Sequence, residues 1–338
     1  MTVTSPPGPS RRIFLLAQPR TASNLLVRLL GLENQSNVYW DEPKSCPFVD
    51  RNHLNTLIPL ASKPVDEWTE DEIAEVKKGF QRCFNKLDQY VAVGENDGKV
   101  IFAKDHCNLM WRPDVHNHLN DKASKEFEVS LSPRHEFAQE EMPQNPTVLP
   151  SQYLVTWRPI FVIRHPALSF ASYYRTSLRA HASKDKDMTP LRREALEKHR
   201  KTQMSFSFTR SLYDWYLEWS TNQDDTNMVP VLLDADDYIN DPEIVRHLAR
   251  ELELDESSVQ CSWSPRSYEG ADYFLTVWRD TLDSSRGVLK DKMARNLDIG
   301  YEYMKWKAEF GESVAHMLLD CVMNAMPDYH YLRSKRFC

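Results

Sequence analysis

The chain has 338 residues, enough for one large α/β domain with insertions. Its 42 Lys and Arg against 49 Asp and Glu give a formal net charge of -7, which disfavours a broad surface for nucleic acid or an anionic membrane. Any anion site must therefore be built from a few cations that the fold places. The six cysteines form no C-x-x-C pair, so neither a zinc site nor a disulfide framework is indicated.

The domain organisation follows from local composition. Residues 1–11 are rich in Pro and Ser and are predicted to be a disordered tail, while 12–338 form a single domain with a long insertion at about 107–158. The first apolar run breaks at Gln18-Pro19, too soon for a signal-peptide core, and no stretch reaches the roughly 20 apolar residues of a membrane helix. We expect a cytoplasmic protein with reduced cysteines and no membrane partner.

Four apolar, β-rich runs are each followed by a segment with helical periodicity. In chain order the predicted strands are RIFLLA, KVIFA, PIFVIR and MVPVLLD. The predicted helices cover 22–30, 71–91, 167–180, 191–220, 242–252 and a segment within 301–325. Alternating strands and helices are typical of a three-layer αβα fold with a central parallel sheet.

The turn after the first strand is PRTASN, residues 19–24, and it contains neither glycine nor lysine. It therefore does not fit the nucleotide-binding loop G-x-x-x-x-G-K-[ST], whose lysine and hydroxyl serve phosphates and magnesium. One guanidinium, two hydroxyls, an amide and the N–H groups of a helix start suit a terminal anionic group bound without metal. An ordinary capped turn is the alternative.

A second anion site is predicted from PIFVIRHPALSFASYYR. Arg164 ends an apolar strand, and Ser172 lies two turns into the helix that follows. A guanidinium and a hydroxyl so placed can converge on one phosphate, the arginine through paired N–H donors. Both sites lie at the same edge of the predicted sheet.

These two motifs resemble those of the sulfotransferases that use 3'-phosphoadenosine 5'-phosphosulfate (PAPS). PRTASN matches the loop P-[KR]-[ST]-[GA]-[ST]-[ST] loosely, and RHPALSFASYY matches R-x-P-x(5)-S-Y-Y at every fixed position. VIFAKDHCNL resembles the K-x-H segment of the cytosolic members, VPVLLDADDYINDP their strand followed by Asp-Pro, and SSRG at 284–287 their basic glycine turn. The elements also follow the family's order along the chain.

The resemblance implies the P-loop NTPase-like sulfotransferase fold and transfer of a sulfuryl group from PAPS to the hydroxyl of a small, partly hydrophobic molecule, with adenosine 3',5'-bisphosphate (PAP) as product and no metal. It assigns His106 as general base and Lys104 and Arg20 as the groups that stabilise developing charge. The donor-binding residues that it implies are Arg20, Thr21, Ala22, Ser23, Asn24, Leu25, Arg164, Ser172, Arg286 and Gly287.

Two departures point to a divergent branch of the family. Arg20 stands where cytosolic members have lysine, and Asn24 stands where a second hydroxyl is usual. Two other functions therefore stay open. The fold is either repurposed for another transfer, an elimination or nucleotide-binding regulation, or it serves a magnesium-dependent small-molecule kinase on a degenerate loop. The sequence leaves the oligomeric state open.

The acceptor side is predicted from aromatic residues near these loops. An apolar lid is expected from Trp40, Phe48, His53, Trp111, Tyr153 and Trp157. Such a lid favours a small alcohol or phenol as acceptor. Asp41 and Glu42 either line that pocket or form a salt bridge that supports the loop.

Overall fold

The computed structural model describes residues 12–42, 44–115, 125–135, 142–182, 188–223, 229–266 and 273–337. The predicted tail, 1–11, lies outside the described residues, as do 116–124 and 136–141 of the predicted insertion. Within the described part of the chain, no helix is long and apolar enough to cross a membrane.

Five parallel strands form one sheet in the order β2-β3-β1-β4-β5. Their bounds are β1 Arg12–Ala17, β2 Val38–Tyr39, β3 Val100–His106, β4 Arg158–Ile163 and β5 Val231–Asp234. The sequence predicts four of them at these places. The two-residue β2, at the edge of the sheet, is too short to show a periodic pattern.

Twelve α-helices belong to the described residues. They are α1 Ser23–Leu29, α2 Arg51–Leu60, α3 Glu70–Asn96, α4 Ser151–Leu154, α5 Pro166–His181, α6 Pro190–Thr202, α7 Ser207–Gln223, α8 Ala235–Asn240, α9 Glu243–Glu251, α10 Tyr273–Asp283, α11 Ile299–Phe310 and α12 Glu312–Ser334. The helix predicted at 191–220 is two helices, α6 and α7, separated by residues 203–206. The C-terminal helix is likewise two, because Gly311 with φ 87° ends α11.

The sheet separates two apolar cores. Along β1, Phe14 and Leu16 face the core that α3, α5, α7 and α12 cover. Ile13, Leu15 and Ala17 face the opposite core, under α1, α8 and α9. This is the alternation that a strand buried on both faces requires, and it confirms the predicted αβα architecture.

Strand register brings three functional segments to one edge of the sheet. Ala17 at the end of β1 pairs with His106 of β3 on one side and with Val162 of β4 on the other. Because all strands are parallel, the loops that follow β1 and β4 leave the sheet beside the end of β3. Ligands of open α/β sheets bind at such carboxyl ends.

Candidate functional site

A cleft of about 1360 Å³ lies at the carboxyl edge of the sheet. The loop after β1, the end of β3, α5 and the segment around 285–298 all contribute to its walls. Sites for one small molecule usually occupy about 300–1,000 Å³, so this cleft has room for two.

The loop after β1 is held in a strained conformation. Arg20 and Ala22 have φ values of 68° and 64°, in the left-handed region that costs an L-residue roughly 1–2 kcal/mol. The hydroxyl of Tyr238 shares its one proton between the carbonyl oxygens of Thr21, at 3.3 Å, and Ala22, at 3.1 Å. Among the described residues no side chain caps α1, whose first turn begins at Ser23. Strain of this kind clusters at ligand-binding sites.

Three cations meet in the cleft. Arg20 donates from Nε to Ser172 Oγ at 3.0 Å, which joins the two predicted anion motifs directly. Arg164 donates from NH1 to the carbonyl oxygen of Arg20 at 3.4 Å and from NH2 to that of Lys292 at 2.5 Å. The ammonium of buried Lys104 lies 3.8 Å from Cys46 Sγ.

None of these three cations forms a direct ion pair with a carboxylate among the described residues; the acidic groups that act on them, Asp280 on Arg20 and Asp234 and Asp236 on Arg164, do so from farther away. No carboxylate oxygen there lies within 4.0 Å of Arg20, Lys104 or Arg164, although ion pairs are frequent elsewhere in the same residues. Arg164 Nε is buried, and the described residues give it no hydrogen-bond partner. Buried cations are normally paired, so the cleft is built for an anion.

The pKa of Arg20 reflects burial and the positive charges around it, whereas the pKa of Arg164 reflects mainly burial. Burial, followed by the neighbouring charges of Arg164, Arg175 and Arg179, lowers the pKa of Arg20 to about 10. Burial also lowers the pKa of Arg164, while Tyr238, Asp236 and Asp234 act in the opposite direction. Both guanidinium groups stay protonated at neutral pH, and an incoming anion would relieve their repulsion.

His106 is held as a neutral base at the wall of the cleft. Its Nδ1 lies 3.2 Å from the carbonyl oxygen of Ala17. Since a carbonyl only accepts, Nδ1 carries the proton and Nε2 keeps its lone pair. Burial, followed by the charges of Lys104 and Arg20, lowers the pKa of His106 to about 3.

Asp105, between Lys104 and His106, points to the opposite face of the sheet. Its carboxylate accepts the backbone N–H groups of His106 and Phe48, each at 2.8 Å. Burial raises its pKa to about 7. This carboxylate fixes the end of β3 and the loop at 45–50 and so positions the two cleft residues beside it.

Helices α2 and α6 form a further wall of the cleft that mixes apolar and polar side chains. Beyond His106, the lining includes Leu54 and Ile58 of α2, Leu196 of α6, and Val49 and Leu109. The predicted aromatic lid was wrong except for Trp40, which lines the cleft. The other five residues are buried in the interior: Phe48, His53, Trp111, Tyr153 and Trp157. Large rings gain more from complete burial than from covering a cleft.

The structure does not bring every predicted residue to the cleft. Ala22, Ser23, Asn24, Leu25 and Gly287 line it. Thr21 is fully buried and donates to the carbonyl oxygen of Gln18 at 2.8 Å, and Arg286 is exposed outside the lining.

Glu42 both lines the cleft and forms ion pairs. Its carboxylate contacts Arg279 at 2.7 Å and Arg266 at 3.4 Å, so the supporting role that the sequence left open for it is present. Sequence reasoning missed Lys292 and Trp278, whose carbonyl oxygens accept from Arg164 and Arg20. Backbone acceptors carry no signal in the residue type, so no motif could have found them.

Across the described residues, no group of three or more His, Cys, Asp or Glu is arranged to hold a metal ion. Around Arg20, Lys104 and Arg164 the cleft offers guanidinium, ammonium, hydroxyl and backbone N–H groups, which bind anions.

Comparison with known proteins finds relatives that align over nearly the full length of the chain. No protein-family model matches the chain. The sulfotransferase ppzF of Metarhizium rileyi is 30% identical over 338 residues, covering 98% of this chain and 97% of that protein. The sulfotransferase ppzF of Metarhizium majus is 30% identical over 344 residues, covering 97% of each. Among solved structures, the sulfotransferase domain of the Synechococcus PCC 7002 olefin synthase is 12% identical, covers 87% of this chain and 90% of its own, and gives a TM-score of 0.37.

Proposed function

The chain belongs to the sulfotransferases, as its near full-length relatives show, and we propose that it transfers a sulfuryl group from PAPS to the hydroxyl of a small, partly hydrophobic molecule. One observation carries the proposal. Arg20, Lys104 and Arg164 face one cleft with no carboxylate within 4.0 Å among the described residues, and the neutral imidazole of His106 lies beside them. This arrangement suits a polyanionic donor next to a hydroxyl acceptor.

The residues present fit PAPS. Arg164 and Ser172 would hold the 3'-phosphate, since the described residues give Arg164 Nε no hydrogen-bond partner and Ser172 lines the cleft. The strained loop from Arg20 to Leu25 would hold the phosphosulfate through its guanidinium, the Ser23 hydroxyl and backbone N–H groups that no side chain caps. Lys104 would lie on the acceptor side of the same group.

The donor supplies an activated sulfuryl group: the acceptor oxygen bonds to sulfur as the bond from sulfur to the 5'-phosphate oxygen breaks. His106 Nε2 takes the acceptor's proton, because Nδ1 is committed to the carbonyl of Ala17. Lys104 and Arg20 stabilise the charge that develops on the transferring and leaving oxygens. The chain forms no covalent bond in this scheme and acts by positioning and electrostatics.

The surroundings of His106 favour transfer over a repurposed fold. Its side chain lines a wide cleft whose walls continue to exposed residues, including Met304 at 59% exposure. A regulatory protein that only binds a nucleotide has no need of a neutral base beside an apolar space. Cytoplasmic location is part of the proposal.

The test is turnover of PAPS with a panel of phenols and aliphatic alcohols, with PAP release and sulfated product measured together. We expect at least one acceptor to yield both in equal amounts. His106→Ala should release neither, while the wild-type protein should work in the presence of a metal chelator. PAP release without any sulfated product would contradict the proposal.

A further inference from the structure

One face of α6 forms a wall of the cleft from the sheet edge outward. Arg192, Leu196, His199 and the C-cap residue Gln203 all line the cleft, at spacings of four, three and four residues. Residues so spaced share one face of a helix. At 1.5 Å per residue, this wall is roughly 16 Å long from Gln203 to Arg192.

The inner end of the wall is fixed to the reaction centre. The carbonyl oxygen of Gln203 accepts a hydrogen bond from the Gln18 side chain, and its Oε1 accepts one from Asn108. Gln18 directly follows Ala17, whose carbonyl accepts from His106 Nδ1. Gln203 is therefore at the His106 end, and Arg192 is the member farthest from it.

The chemistry of the wall changes along its length. Gln203 and Leu196 are buried, His199 is half-buried and Arg192 is exposed, so Arg192 lies at the mouth. Burial, and next the charges of His181 and Arg200, lower the pKa of His199 to about 4, which leaves this ring neutral at pH 7. Leu54 and Ile58 of α2 add apolar surface to the same part of the cleft.

Arg192 is the positive charge that this wall presents at its mouth. The two glutamates of α6 pair with Lys198 and Arg200 instead, and no carboxylate among the described residues lies within 4.0 Å of the Arg192 guanidinium. The acidic residues that line the cleft, Glu42, Asp291, Asp298 and Glu302, come from other segments. The lining from α2 and α6 thus contains apolar and neutral polar side chains and two exposed cations, Arg192 of α6 and Arg51 of α2, but no carboxylate.

We propose that the acceptor is an elongated hydroxy acid. Its hydroxyl lies at His106, its apolar body runs along Leu196 and α2, and its carboxylate binds Arg192, with roughly 10–16 Å between the two ends as the helix rise sets it. That this hydroxy acid receives a sulfuryl group rests on the proposed function. Recognition of the carboxylate by Arg192 does not depend on the identity of the donor.

The test is calorimetric titration of the full chain, with and without PAP, using ω-hydroxydecanoate, its primary amide and shorter and longer homologues. We expect the acid to bind about fivefold more tightly than the amide, as for a partly solvated ion pair. Arg192→Gln should remove this preference and leave amide binding unchanged. The adjacent Arg193→Gln, outside the cleft lining, should behave like wild type.

Three results would overturn the inference. They are equal affinity of the wild type for acid and amide, a preference for the acid over the amide that persists in Arg192→Gln, and no binding of any of the hydroxy acids of different length. PAP affinity of the same Arg192→Gln protein should equal that of the wild type. If wild type prefers the acid but binds no PAP, the proposed donor is wrong while the role of Arg192 stands.

Discussion

Replacing Arg164 by alanine should weaken PAP binding without unfolding the chain. The guanidinium donates to two backbone carbonyls, keeps a buried Nε with no partner among the described residues and has no ion pair there. A phosphate would gain charge-assisted hydrogen bonds worth about 1.5–3 kcal/mol, so its dissociation constant should rise roughly 10- to 150-fold. The fold loses two hydrogen bonds to backbone carbonyls, one of them long at 3.4 Å, which together contribute about 1–3 kcal/mol, so a cooperative thermal transition should remain.

The assay is calorimetric titration of PAP into the wild type, Arg164→Ala and a control, Arg246→Ala. Arg246 is on α9, where it pairs with Glu243 at 3.0 Å and does not line the cleft. The control should bind PAP as the wild type does. Unchanged affinity in Arg164→Ala would refute the assignment of the cleft cations to the donor.

Three further predictions concern the base and the loop. His106→Ala should leave PAP affinity within about twofold by calorimetry and abolish turnover, because in the proposed scheme its ring contacts the acceptor and not the donor. Because burial and the charges of Lys104 and Arg20 lower the pKa of His106 to about 3, the neutral base persists as pH falls. The acid limb of kcat/KM should therefore lie well below the ordinary value of 6.5, and a midpoint at that value would contradict a buried neutral base. Tyr238→Phe, which removes the hydroxyl that holds the strained loop, should weaken PAP binding about fivefold, whereas Tyr213→Phe should not; equal effects would mean that the loop needs no such support.

The sheet was predictable because its main strands are buried on both faces. Their apolar runs are continuous, and the polar residues that end them mark the carboxyl edge. The breaks within the helices were not predictable from periodicity. The region 191–220 keeps helical composition through Gln203–Phe206, and only tertiary contacts of Gln203 with Gln18 and Asn108 show where α6 ends.

The residues of the cleft were predictable where the side chain is a cation or an imidazole, since these groups indicate anion binding and proton transfer. Arg20, Lys104, His106 and Arg164 follow strands, and parallel strands bring such residues to one edge. The α6 wall was not predicted, because a helix with alternating Arg, Lys and Glu has the composition of a solvated surface helix. The aromatic lid failed for the opposite reason, since sequence cannot distinguish a ring that covers a cleft from one buried below it.

The central claim is that this cleft binds a 3'-phosphoadenosine donor and needs no metal ion to do so. Titration of the purified chain with PAP, in the presence of a chelator and with ATP as control, tests it most directly. The account predicts micromolar PAP binding that exceeds ATP binding and needs no magnesium. Two results would contradict this expectation: no binding of PAP, or ATP binding that requires magnesium and is tighter than PAP binding.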